Sequence, residues 1–272
     1  MGRGAVRKPQ VPPSAIVTSA IRVAAKPGFL SRRIWDEYLS HGHRSWKFRQ
    51  WKALMTEGYF EPCCDFGFTD EALILSRKGV GTATFLQMDP VRPPGAKSIW
   101  HDDDLIAMAL VLEKKGLISS WLTESELKCG RVRDFFPYQD DLCALKFPDL
   151  VIQLRHPKEK VFWAIELERT RKEKTRYYEM IQSYAGTFKI NAVLVIAATE
   201  SIEKNIQWAM NRLSYPQAKR PILFARYGEF LAAPDSAELR MGDKRSSIAM
   251  AVQRWHRQMT NEPRNTVGNN VA

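Results

Sequence analysis

Long apolar runs are missing from this chain. No stretch approaches the ~18 uncharged apolar residues that cross a bilayer, so membrane insertion is not expected. The segment Met1-Gly-Arg-Gly-Ala-Val-Arg-Lys8 carries neither an apolar run nor a small-residue cleavage site. A secretory signal is therefore not expected, and a cytoplasmic location is. Cysteine is scarce: Cys63, Cys64, Cys129 and Cys143 do not make a CxxC zinc pattern and read as reduced, small, buried or half-buried residues. Internal repeats and low-complexity tracts are also absent.

The chain does have the material for hydrophobic cores. Of its 272 residues 44% are apolar and eight are Trp, which excludes global disorder and allows one large domain or two ordinary ones. The net charge of +11 is unevenly placed. Residues 1–60 hold eleven Lys/Arg against Asp36, Glu37 and Glu57, leaving only about +3 for the rest. A basic third with interleaved aromatics suits a polyanionic partner, because neutralising phosphates releases counterions. The competing reading is a solvated basic surface.

Punctuation divides the chain. Residues 1–26 mix Pro, Gly and basic residues and are expected to form a flexible basic arm. Phe29 to Leu39 reads as a helix, with Leu30, Ile34, Tyr38 and Leu39 at helical spacing. The turn Ser40-His41-Gly42-His43 leads to a second helix, Ser45 to Glu57. There Trp46, Trp51 and Leu54 are expected in the core, and Arg44, Lys47, Arg49 and Lys52 outside. Tyr59 to Phe68 and Ala72 to Ser76 read as strands, followed by a basic, glycine-bearing turn over 75–81 with Arg77 and Lys78. Helix, turn, helix and basic hairpin over 27–86 is the pattern of a winged helix that grips duplex DNA. A small helical domain for protein contacts is the alternative.

Three prolines (Pro90, Pro93, Pro94) make 87–100 the expected linker. An α/β domain then spans 101–235, with a C-terminal helix and disordered tail over 236–272. Within it Asp102 to Lys115 is a helix, 149–154 and 161–168 form a hairpin, and a helix over 170–187 follows. Strand 192–197, helix 201–213 and strand 221–225 complete a mixed sheet with helices on both faces.

The acidic residues are distinctive. Alternate residues of a strand share a face, so Glu166 and Glu168 stand together with Phe162 and Ala164, opposite an apolar face of Val161, Trp163, Ile165 and Leu167. Two like charges on a buried strand are costly unless a cation offsets them. Asp149, after Pro148, opens the partner strand and can join them. Three such oxygen donors suit Mg²⁺ or Mn²⁺, which polarises a phosphodiester and supplies hydroxide. Basic residues of the next helix, Arg171 and Arg176 among them, would face phosphate. The plainer reading is a structural network between these acids and the arginines.

The set Phe147-Pro148-Asp149 with Ile165-Glu166-Leu167-Glu168 resembles the PD-(D/E)XK nuclease superfamily. The preceding winged-helix-like region narrows the resemblance to the replication-relaxation, or MOB-C, type of plasmid mobilisation relaxases. That resemblance implies a restriction-endonuclease-like core and a divalent metal on Asp149, Glu166 and Glu168. It implies a bacterial cytoplasmic enzyme that nicks a duplex transfer origin. Its implied partners are a conjugative coupling protein, a type IV secretion apparatus and an accessory mobilisation protein. Glu168 stands where the wider superfamily has lysine, which makes Lys174, then Lys172, the expected substitute. His101 is a candidate proton shuttle, with a structural role at a helix start as the alternative. Tyr177 and Tyr184 share a helix face and read as packing, so metal-activated water is expected rather than tyrosyl transfer. A DNA-binding regulator or accessory protein with a degenerate nuclease fold is the alternative function.

Overall fold

The computed structural model describes residues 13–63, 71–93, 99–131, 147–185, 189–217 and 220–260. The chain divides into two compact units, residues 1–96 and 97–272. Residues 1–12 of the expected arm 1–26, residues 94–98 of the expected linker 87–100, the tail after 260, and Cys64 and Cys143 lie outside the described residues.

In the first unit, within the stretch 1–26 expected as an arm, the described residues hold helix α1 (Ala15–Ala25). Ser14 caps it by accepting from the Val17 N–H, and Ala20, Ile21 and Ala24 are fully buried. Half of its six buried residues are alanines, and the neighbouring prolines and basic residues mask the stripe in the sequence. Gly28, at φ +87°, stops the chain after α1. Any Cβ there would overlap the Arg92 carbonyl, so residues 91–93 of the expected linker pack back onto this unit.

Residues 29–39 are not one helix. They form strand β1 (Leu30–Ser31), the single turn α2 (Arg32–Ile34) and a π-helical turn (Trp35–Leu39). Helix α3 (Arg44–Thr56) follows, then strands β2 (Phe60–Pro62) and β3 (Ala72–Leu75). The three strands make an antiparallel sheet in the order β1-β3-β2. The expected basic turn over 75–81 is instead helix α4 (Arg77–Phe85), capped by Ser76. Gly79 allows α4 to lie against the Tyr59 carbonyl, where a Cβ would stand 2.1 Å from that oxygen.

The second unit is mixed α/β. Helix α5 (Ile99–Lys114) precedes strand β4 (Ile118–Thr123), the capped turn α6 (Glu124–Glu126) and a π-helical turn (Leu127–Arg131). Then come β5 (Leu150–Leu154), β6 (Val161–Glu168), α7 (Lys174–Ala185), β7 (Ile190–Ala197), α8 (Glu200–Arg212) and β8 (Ile222–Arg226). Helix α9 (Tyr227–Ala232), strands β9 (Leu239–Met241) and β10 (Lys244–Ser246) and helix α10 (Ile248–Thr260) complete it. Seven strands lie in the order β10-β9-β8-β7-β6-β5-β4, with β6, β7 and β8 parallel. The sheet therefore continues past residue 235, the expected boundary, because β9 pairs with β8. Strands β9 and β10 are only three residues long each, too short to leave an alternating signature.

Helices α7 and α8 cover one face, burying Ala164, Val193 and Val195 with Met180, Ile181, Ile202 and Ile206. On the other face Trp121, Ile152 and Trp163 are in register, and Trp121 donates to Glu113 of α5. Burial of these side chains stabilises the sheet at roughly 25 cal/mol per Å² of apolar area.

A candidate carboxylate site at the end of the mixed sheet

Strand β6 explains the position of the acids. It is paired along both edges, by antiparallel β5 and parallel β7, and side chains on both of its faces are buried, Phe162 alone being half-buried. Glu166 is 0% exposed and Glu168 1%, on the face under α7. One register step beyond Leu150↔Ile165 sets Asp149 beside Glu166. The ion-binding candidates thus gather at the carboxyl end of β6, where ligands of open α/β sheets are bound.

Each acid has a defined partner. The Asp149 carboxylate accepts from the Leu167 N–H at 2.8 Å, which fixes it at the mouth of the hairpin. Tyr184 of α7, itself fully buried, donates its hydroxyl to Glu166. Burial and then the Glu166 charge push the Tyr184 hydroxyl well above its usual value, so it stays a donor. Lys172 reaches back four residues to Glu168 at 2.8 Å. Tyr177 accepts from the Lys172 N–H and so pins the connector ahead of α7. These two tyrosines do pack, as their spacing implies, but their hydroxyls also order the acids and the connector.

His101, in the first turn of α5, reaches the same place. Its Nε2 lies 3.3 Å from Asp149 Oδ2 and 3.1 Å from the Leu167 carbonyl, and its Nδ1 lies 3.2 Å from Asp102. Burial alone would lower its pKa. Hydrogen bonds to Asp102 and Asp149, with their charges, outweigh that and raise it from 6.5 to about 10. Held this way, the His101 ring is fixed between α5 and the open end of the β5–β6 hairpin by three contacts. The space between the Asp149 carboxylate and the Leu167 carbonyl is occupied here by the His101 Nε2.

Lys174 is elsewhere. Because α7 starts at Lys174 and not near residue 170, its ammonium points to the Trp208 ring, 5.0 Å from the centroid. The lysine beside the acids is Lys172, which reverses the expected ranking. Arg171 and Arg176 are exposed, and Arg176 lies 3.6 Å from Glu179. Tyr227, which sequence reasoning passed over, also joins this end, beside Arg169 from the expected basic cluster. Tyr227, just after β8, donates to Asp104 at 2.7 Å, and Arg169 stands over the Tyr227 ring.

Among the described residues no group of three or more His, Cys, Asp or Glu side chains is arranged to hold a metal ion. The donor chemistry at Asp149 and Glu166 is nonetheless all oxygen and suits a hard divalent ion. Such ions are commonly held by one or two carboxylates with water and substrate phosphate completing the shell. Glu168, engaged by Lys172, fits less well as a third ligand.

In the first unit, α3 carries four cations and no acid. Arg44, Arg49 and Lys52 are exposed. Lys47 turns inward and donates to the Asp36 carbonyl, and the Trp35 indole donates to the Lys47 carbonyl, so Lys47 braces the fold. Trp46 is 50% exposed and is not a core residue; Trp51 and Leu54 are buried. Arg77 is exposed, while Lys78 donates to the Glu57 carbonyl at 2.6 Å and covers the Tyr59 ring. Cys63 is buried and Cys129 exposed, both as free thiols. No helix among the described residues is long and apolar enough to cross a membrane. No family model, no curated protein and no solved structure matches this chain.

Proposed function

We propose that the protein is a metal-dependent DNA endonuclease that nicks one strand of a duplex, as a plasmid relaxase of the MOB-C type does at a transfer origin. The observation that carries this reading is the pairing of Asp149 with Glu166 at the carboxyl end of β6, beside the buried Glu168 and a cluster of cations. Asp149 and Glu166 would hold Mg²⁺ or Mn²⁺, which supplies Lewis acidity toward a phosphodiester and a nucleophilic water. The chain's own groups do the rest. Tyr184 orients Glu166 through its hydroxyl, Lys172 holds Glu168, and Arg169 and Arg171 offer charge to the scissile phosphate. The restriction-endonuclease-like core belongs to the same proposal and is supported by the antiparallel-to-parallel switch at β6.

The first unit is read as a winged helix. Its order α1-β1-α2-α3-β2-β3 and the β1-β3-β2 sheet support that assignment, with α3 presented to DNA. In a cell, a coupling protein and a type IV secretion apparatus would take the nicked strand onward. One observation favours a second reading, a non-catalytic DNA-binding regulator: all three acids already have protein partners. Metal separates the two. Mn²⁺ titrated into the full-length protein, followed by the free-ion spectroscopic signal, is expected to bind wild type and not Asp149→Ala/Glu166→Ala. Equal binding by both, with DNA affinity indifferent to the ion, would sink the enzyme reading.

A further inference from the structure

Helix α3 presents more than charge. At 100° per residue Ser45, Arg49, Lys52 and Thr56 line its outward face, and all four are exposed. Trp46 flanks that strip on one side and Phe48 on the other, at 50% and 46% exposure. The rings are organised. The Arg49 guanidinium lies 5.2 Å from the Trp46 centroid, and the Lys52 ammonium 4.6 Å from that of Phe48. Gly42, at φ +98°, brings its backbone against the Trp46 edge, where a Cβ would stand 3.3 Å from Cδ1.

Two large rings held half in water on an acid-free, cationic helix call for a ligand with both phosphate and flat apolar faces. An intact duplex hides base faces in its stack and shows only edges in its grooves. An unpaired strand exposes those faces, and base–aromatic stacking beside cations is how such strands are held. We infer that the outward face of α3 binds unpaired DNA, with Trp46 stacking a base and Arg49 and Lys52 neutralising the adjoining phosphates. This rests on the reading that the first unit engages DNA, and it assigns that unit the strand opened or released at the nick.

The test uses full-length protein and fluorescence anisotropy with a labelled oligothymidylate and a labelled duplex of equal length. Trp46→Ala is expected to weaken single-strand binding about 5- to 150-fold, the worth of one base–aromatic stack. The ratio of duplex to single-strand affinity rises accordingly, and Trp46→Phe restores most of the loss. Arg49→Ala/Lys52→Ala is expected to lower the single-strand salt slope by roughly 0.7 per lost phosphate contact. Thermal melting checks that each variant folds. Duplex binding by wild type with an unchanged ratio in Trp46→Ala would overturn the inference alone. Wild type that binds neither polymer would overturn the DNA reading of this unit as well.

Discussion

Replacing Tyr184 with Phe removes one oxygen from a site that holds a fully buried carboxylate. Tyr184 donates to Glu166, and both residues are essentially inaccessible to water. A hydrogen bond to a charged group is worth about 1.5–3 kcal/mol, and removing the donor strands part of that charge in a poorly solvating place. The phenol's own desolvation is relieved at the same time, so a cost near ~2 kcal/mol is expected. For a domain of this size that is a fall in Tm of about 4–8 °C. The charge can be removed separately: Glu166→Gln eliminates the desolvated carboxylate and is expected to be neutral or stabilising. In that background Tyr184→Phe should cost about 1 kcal/mol or less, the worth of a neutral hydrogen bond. Urea unfolding at neutral pH of the four proteins of the cycle measures the coupling. A Tyr184→Phe cost below about 0.5 kcal/mol, the range of an unconnected surface change, would refute the argument. Equal costs in both backgrounds would refute it too.

Other perturbations follow from the same reasoning. Arg240→Ala leaves Glu203 of α8, now paired at 2.7 Å and mostly buried, without its guanidinium. It should destabilise the second unit by about 3 kcal/mol in urea unfolding. Gly79→Ala drives a Cβ into the Tyr59 carbonyl and should cost about 1–3 kcal/mol, read as earlier loss of the first unit in limited proteolysis. The hydrogen bond from Lys115 holds the Asp235 carboxyl below its ordinary 3.8. Its contribution is therefore present above that value and lost as pH falls through the lowered one. Asp235→Asn should be less stable than wild type near neutrality, and the difference should vanish in acid; a constant difference across pH would refute the pairing.

How much of this was legible in the sequence depends on how each segment is buried. Strand β6 is covered on both faces, and its eight residues from Val161 to Glu168 stand out as an apolar run broken only by the two acids. Strand β7 and helix α8 are visible for the same reason, a long run and a strong amphipathic period. Strand β4 is not, because it is an edge strand whose Ser119 and Ser120 are exposed and interrupt its apolar pattern. The bases on the next helix were visible as a cluster, but which of them reaches Glu168 depended on where α7 starts. A shift of four residues exchanged Lys174 for Lys172. The partners of the acids were hidden for another reason. Tyr184 and His101 are brought to Glu166 and Asp149 by helix packing across the sheet, at sequence separations of 18 and 48, where no local pattern speaks. Trp46 was misplaced because an exposed indole and a core indole look alike at helical spacing.

The central claim, metal-dependent nicking at Asp149 and Glu166, is tested most directly on supercoiled plasmid. The full-length protein is incubated with plasmid carrying its candidate origin in Mn²⁺ or EDTA, beside Asp149→Ala/Glu166→Ala. The account predicts open circles with Mn²⁺ and none with EDTA or with the double variant. Plasmid left intact by wild type in Mn²⁺, or cut equally by the double variant, would contradict it.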